Sequence, residues 1–380
     1  MRRSLALVAL ALALWPAVAQ AAQPTEAPLA YHLPDGGYDL GRLDPLTLAP
    51  LGPQADINEW HMGYSVSPDG GRIATTISHP GLPGTPGSGR VGLRIYDLTT
   101  FDVVREFRTG GATQAVGWLT PRRVVAASRQ VFVADPVDGS LETTDTVAGP
   151  GCGDPHAKAV TRSRLVFLLG STLNVVDREG DRRHVTLRDM SNDCGRLGLA
   201  VDQARELVYV VGVGGEVAVV RPQAMRTTYV RVGPSRATRV DSTSAHHFGA
   251  FQLAAAHRSS RGMPRGVELV NTFERARRMV DPRAGAAQVY RNLLLTYDGR
   301  DAVSAGGSRG IRMFNTAGRL RDRLLKREVV HDVDIHGRFA YARTRGGLRV
   351  IDLETRDVAS RSAFDPDSEL EFVVPGGAGR

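Results

Sequence analysis

One pattern recurs along the chain at an interval near 43 residues, and it restricts the possible folds more than any other feature. It is an apolar alternating strand, a turn opened by Asp, Asn or Arg-Pro, and a second strand. It begins at Leu93 (Leu-Arg-Ile-Tyr-Asp97), Val131 (Val-Phe-Val-Ala-Asp135) and Leu173 (Leu-Asn-Val-Val-Asp177). Further copies start at Val217, Val267, Ile311 (ending in Asn315) and Leu348 (ending in Asp352), with intervals of 38, 42, 44, 50, 44 and 37 residues. Two more strand-like runs precede each copy, as in Tyr64 to Ile77, Leu199 to Val211 and Val333 to Tyr341. Each unit is therefore four short strands, A to D, joined by tight turns such as Asp69-Gly70 and Asp135-Pro136.

Four antiparallel strands at this period predict an all-β chain folded as a single β-propeller, the units being its blades. The ends decide the blade number. Seven full blades occupy residues 56 to 364. Leu29 to Leu33, Tyr38 to Asp44 and Leu46 to Leu51 read as strands B, C and D of another, while Glu369 to Val374 reads as an isolated strand A. Eight four-stranded blades, closed by the N-terminal strands joining the C-terminal one, use every strand and leave no open sheet edge. Seven blades, the alternative, would leave both ends outside the ring.

The Ser67-Pro68-Asp69-Gly70 step, the Val208-Tyr209-Val210-Val211 strand and the Asp closing strand C (Tyr96-Asp97-Leu98, Ile351-Asp352-Leu353) resemble YVTN-type and WD-type propeller repeats. The resemblance covers nearly the whole chain after the leader and implies a scaffold more often than a catalyst. The tryptophan-docking motif of quinoprotein propellers is absent from the sequence, which argues against a quinone cofactor.

Residues 1–22 read as a signal peptide: Arg2 and Arg3, an apolar run from Leu5 to Leu14, Pro16, then small-residue sites around Ala19 and Ala21. Residues 23–380 form the propeller domain, expected outside the cytoplasm, secreted or periplasmic. No later stretch is long and apolar enough to span a membrane. The net charge of +8 comes almost entirely from Arg spread through the chain, Lys158 and Lys326 being the two lysines. That spread argues against nucleic acid as a partner.

Cys152 and Cys194 precede the matched strand-A positions Val160 and Val201 by eight and seven residues. They thus occupy the same loop on adjacent blades, and an exported protein is expected to join them in a disulfide.

The D-to-A loops reach one end of a propeller near its axis, and several carry ligand-type residues. Glu59 and His61, Asp154 and His156, and His331 and Asp332 are the candidate binding set for this central funnel. No tight ligand spacing identifies a cofactor; a metal ion is the candidate. No hydrolase elbow, phosphate loop or haem-attachment motif is present. The expected function is therefore a scaffold for a protein or small-molecule ligand rather than an enzyme. One alternative is a metal-dependent or lyase-like enzyme in the funnel. Another is recognition of an anionic cell-envelope polymer by outer Arg residues, including Arg258, Arg277, Arg278, Arg319, Arg321 and Arg323. His246 and His247 read as part of a long solvated turn.

Overall fold

The computed structural model describes residues 29–32, 39–56, 60–78, 91–109, 113–146, 155–188, 190, 195–297, 310–362 and 370–372. Glu59, Cys152, Asp154 and Cys194 lie outside the described residues, and so does the leader. The described chain is all β, in eight four-stranded antiparallel sheets. Seven of them run A to D in chain order. In the eighth, strands Leu29–His32, Asp39–Leu43 and Pro50–Asp56 are completed by Leu370–Phe372, which pairs antiparallel with the first. Eight blades with the ends sharing one is the architecture the repeat demands. Strand D of blade 8 starts at Pro50, later than the apolar pattern at Leu46 suggests, because Asp44-Pro45-Leu46-Thr47 forms the turn before it. No helix long and apolar enough to cross a membrane occurs among the described residues.

A blade packs both of its faces against neighbours, so alternate side chains go opposite ways. In strand B of blade 3, Leu165, Phe167 and Leu169 enter the core shared with blade 2. Val166 and Leu168 enter the one shared with blade 4. Each pair of adjacent blades therefore has its own hydrophobic core. Leu43 and Leu48 meet Tyr341 and Val350 between blades 7 and 8, and Leu40 and Ala55 meet Tyr64 and Ile73 between blades 8 and 1. These two cores close the ring.

The Asp or Asn ending strand C has one job in blade after blade. Its side-chain oxygen accepts backbone N–H groups from the turn that follows: Asp97 from Thr99 (2.7 Å) and Thr100 (3.1 Å), Asp352 from Glu354 (2.9 Å), Asn271 from Phe273 (3.0 Å) and Glu274 (2.9 Å). Around the axis the inner strands crowd together. A Cβ on Gly63 of blade 1 would stand 2.7 Å from the Gln114 carbonyl oxygen and 2.7 Å from Lys158 Nζ, and one on Gly198 of blade 4 would stand 2.9 Å from Ala245 Cβ. Glycine is required at both places by space.

Two further sequence expectations change. His246 and His247 lie on strand A of blade 5 (Ser242–Gly249), where backbone pairing with Gln252–Arg258 replaces the solvated turn. His247 stacks on Tyr209, with ring centroids 6.1 Å apart. Arg277, read from the sequence as one of the outer Arg residues, is buried, its side chain 3% exposed. Outer strands alternate between solvent and the neighbouring blade, and Arg277 faces the neighbour.

Candidate functional site

The D-to-A and B-to-C connections share one end of the ring; the A-to-B and C-to-D turns share the other. The sequence-predicted ligands fall at the first end. His61 stands on strand A of blade 1 (Trp60–Val66), and His156 immediately precedes strand A of blade 3 (Ala157–Val160). His331 and Asp332 begin strand A of blade 7 (Val330–His336). In an eight-membered ring, blades 3 and 7 are opposite, so His156 and His331 belong to opposite sides of the ring. Among the described residues no group of three or more His, Cys, Asp or Glu is gathered as a metal site would need.

The structure brings other residues to this end. Asp332 is held by the Tyr297 hydroxyl of blade 6 (3.0 Å) and by the Val333 N–H (2.9 Å). The Lys158 ammonium donates to the Gln114 carbonyl of the preceding blade, which fixes it beside the inner strands. Between blades 5 and 6, Asp281 binds the Arg312 guanidinium (2.7 Å) and the Thr296 hydroxyl (2.9 Å). Between blades 4 and 5, Glu268 accepts from Arg277 Nη1 (3.1 Å), lies 3.3 Å from His257 Nε2 and accepts the Arg236 N–H (3.1 Å). His257 Nδ1 in turn lies 3.0 Å from the Thr243 hydroxyl. Burial works to raise the Glu268 carboxyl, but His257, Arg277, the Arg236 N–H and Ser235 outweigh it and hold the group below the usual carboxylate range.

Each of these carboxylates is matched by partners inside the protein. Asp332 was a candidate from the sequence, but Asp281 and Glu268 were not: a lone Glu in an apolar strand (Val-Glu268-Leu-Val) gives no hint that an Arg nine residues later and a His eleven earlier converge on it. His156 is different. Both of its ring nitrogens are buried without a hydrogen-bond partner among the described residues, and burial pushes its pKa down to about 4. It is thus a neutral imidazole at pH 7. The unfolded chain, with a His pKa of 6.5, binds a proton there that the folded one refuses. Stability from this group is present above pH 6.5 and is lost as pH falls toward 4. A His156→Leu variant is expected to show a flatter decline across that window in denaturant midpoints. Parallel profiles for the two proteins would contradict the buried, partnerless state.

No known family model and no curated protein matches the sequence. Solved structures do. The dihydro-heme d1 dehydrogenase NirN in complex with DHE aligns at a TM-score of 0.65 and 15% identity, covering 92% of this chain and 76% of that one. BamB from Moraxella catarrhalis aligns at 0.56 and 13% identity, covering 85% of this chain and 90% of that one. At such identities the likeness concerns architecture: both are β-propellers, and the chain shares their fold.

Proposed function

We propose that the protein is an exported β-propeller of the YVTN or WD kind that serves as a binding scaffold outside the cytoplasm. Its ligand, a protein or a small molecule, is taken at the D-to-A end near the axis. Glu59, His61, Asp154, His156, His331 and Asp332 are placed in the mouth, and the Cys152–Cys194 disulfide braces the loops of blades 3 and 4 beside it. The observation that carries the reading is His156, whose buried nitrogens lack a hydrogen-bond partner among the described residues. A buried polar group in that state calls for a bound molecule, water or ion to complete it. The likeness to NirN and BamB supports the scaffold, and the leader supports export.

The test is photo-crosslinking in the exporting cell. A benzophenone amino acid in place of His331 is expected to give discrete adducts, whereas one in place of Thr228, exposed on an outer strand, gives none. Equal labelling from the two positions, or none from His331, would defeat the scaffold reading. If metal analysis of the purified protein instead finds a stoichiometric ion that is lost in His156→Ala, the metal-dependent alternative takes its place.

A further inference from the structure

At the opposite end of the ring, blade 5 carries two exposed aromatic residues on two different turns. Phe251 lies in its A-to-B turn and Phe273 in its C-to-D turn, with ring centroids 5.7 Å apart. Phe273 is 77% exposed. The repeat supplies an internal control for how unusual this is. The left-handed residue of the A-to-B turn is Gly70, Glu206, Arg291 and Gly337 in blades 1, 4, 6 and 7, and in blade 5 it is Phe251, at φ 62°. The position of Phe273 is held by Thr99, Gln223 and Glu354 in the five-residue turns of blades 1, 4 and 7. A bulky aromatic side chain in left-handed backbone is disfavoured, and placing two such side chains in water gains nothing for the fold.

The pair is held rigidly. The Phe251 carbonyl accepts both the Thr272 N–H (2.9 Å) and the Thr272 hydroxyl (3.1 Å). The Arg205 guanidinium of blade 4 lies 4.7 Å from the Phe251 ring centroid while ion-paired to Asp202 at 2.8 Å. Asn271 accepts the Phe273 N–H. More broadly, every exposed large apolar side chain among the described residues lies on an A-to-B or C-to-D turn or in the first two residues of a strand D, all at this end. On the turns of blades 4 and 5 at this end, Arg205, Arg221, Arg226 and Arg275 are exposed, against a single exposed carboxylate, Glu274, with Glu206 half-buried.

Rigid aromatic and Arg side chains together are the composition of a protein-docking hot spot. We infer that the turn end of blades 4 and 5 docks an acidic segment of a protein partner. One of its apolar side chains rests on Phe251 and Phe273, and its carboxylates meet the surrounding Arg. This site is separate from the D-to-A end and does not depend on the function assigned there.

The probe is a fluorescently labelled peptide with one Leu-Trp pair flanked by Asp residues, compared with its Ser-Ser counterpart and with phosphatidylglycerol vesicles. The full chain is expected to bind the Leu-Trp peptide in a salt-dependent manner and to bind the Ser-Ser peptide about tenfold more weakly. Phe273→Ser is expected to weaken binding about tenfold with no change in thermal midpoint, since the side chain is in solvent. Arg275→Glu is expected to weaken it and to flatten the salt dependence. Binding indifferent to Phe273→Ser would overturn the inference, as would vesicle binding without peptide binding.

Discussion

Replacing Glu268 with alanine is expected to destabilise the protein by about 3–5 kcal/mol, the cost of leaving a buried charge without its counter-charge. Glu268 and His257 are fully buried and Arg277 nearly so. The carboxylate is the acceptor on which Arg277, His257 and the Arg236 N–H converge. Without it, Arg277 keeps, among the described residues, the Gly212 carbonyl (2.8 Å), and its Nε and Nη2 already have no partner there. The double variant Glu268→Leu with Arg277→Met should recover much of the loss, because removing both charges also removes their desolvation cost. Urea denaturation of the three proteins decides the matter. A single variant within 1 kcal/mol of the parent, a threshold set well below the expected cost, would mean that water reaches the cluster. The pH dependence has a definite sign. Since the folded state depresses this carboxyl, its stabilisation holds above the ordinary Glu range and is lost as pH falls through the lowered value.

Ending the chain before Leu370 is expected to remove the fourth strand of blade 8 and open the ring. Strand Leu29–His32 would then present an unpaired edge toward the axis. The cores on either side of blade 8, around Leu43 with Tyr341 and around Leu40 with Tyr64, would lose their brace. The shortened protein should melt at a lower temperature and self-associate, as uncovered strand edges do. A synthetic peptide spanning residues 369–374, supplied in excess, should restore part of the melting temperature by binding the native form. A truncated protein that stays monomeric with the parent's midpoint would show that blade 8 closes without its last strand.

The ring itself was legible because its punctuation is local. An Asp or Asn that folds its own turn, such as Asp97, Asp135 or Asp352, leaves the same mark in the sequence whatever the rest of the blade does. The strands after it were harder to place. In blade 8 an apolar Leu46 within the turn imitates a strand start, and in blade 5 the polar Ser-Thr-Ser-Ala-His-His run hides a genuine inner strand. The charge cluster was illegible for a different reason. The inner strands of a radial sheet bury both faces, so the parity of Glu268 along its strand separates one neighbour from the other and says nothing of solvent. Arg277 lies on an outer strand, where one parity is exposed and the other buried. His156 could be named from its loop, but that its nitrogens lack partners depends on what packs around them. The aromatic pair became visible only when turns from different blades were set side by side.

The pairing of Leu29–His32 with Leu370–Phe372 joins segments separated by nearly the entire polypeptide. During translation the ribosome releases the first of these long before the second exists, so seven blades can assemble while the clasp is still missing. Long-range pairing of this kind is slow. A folding molecule can therefore hold seven blades in an open crescent, and it becomes a continuous circle only when Leu370–Phe372 pairs with Leu29–His32.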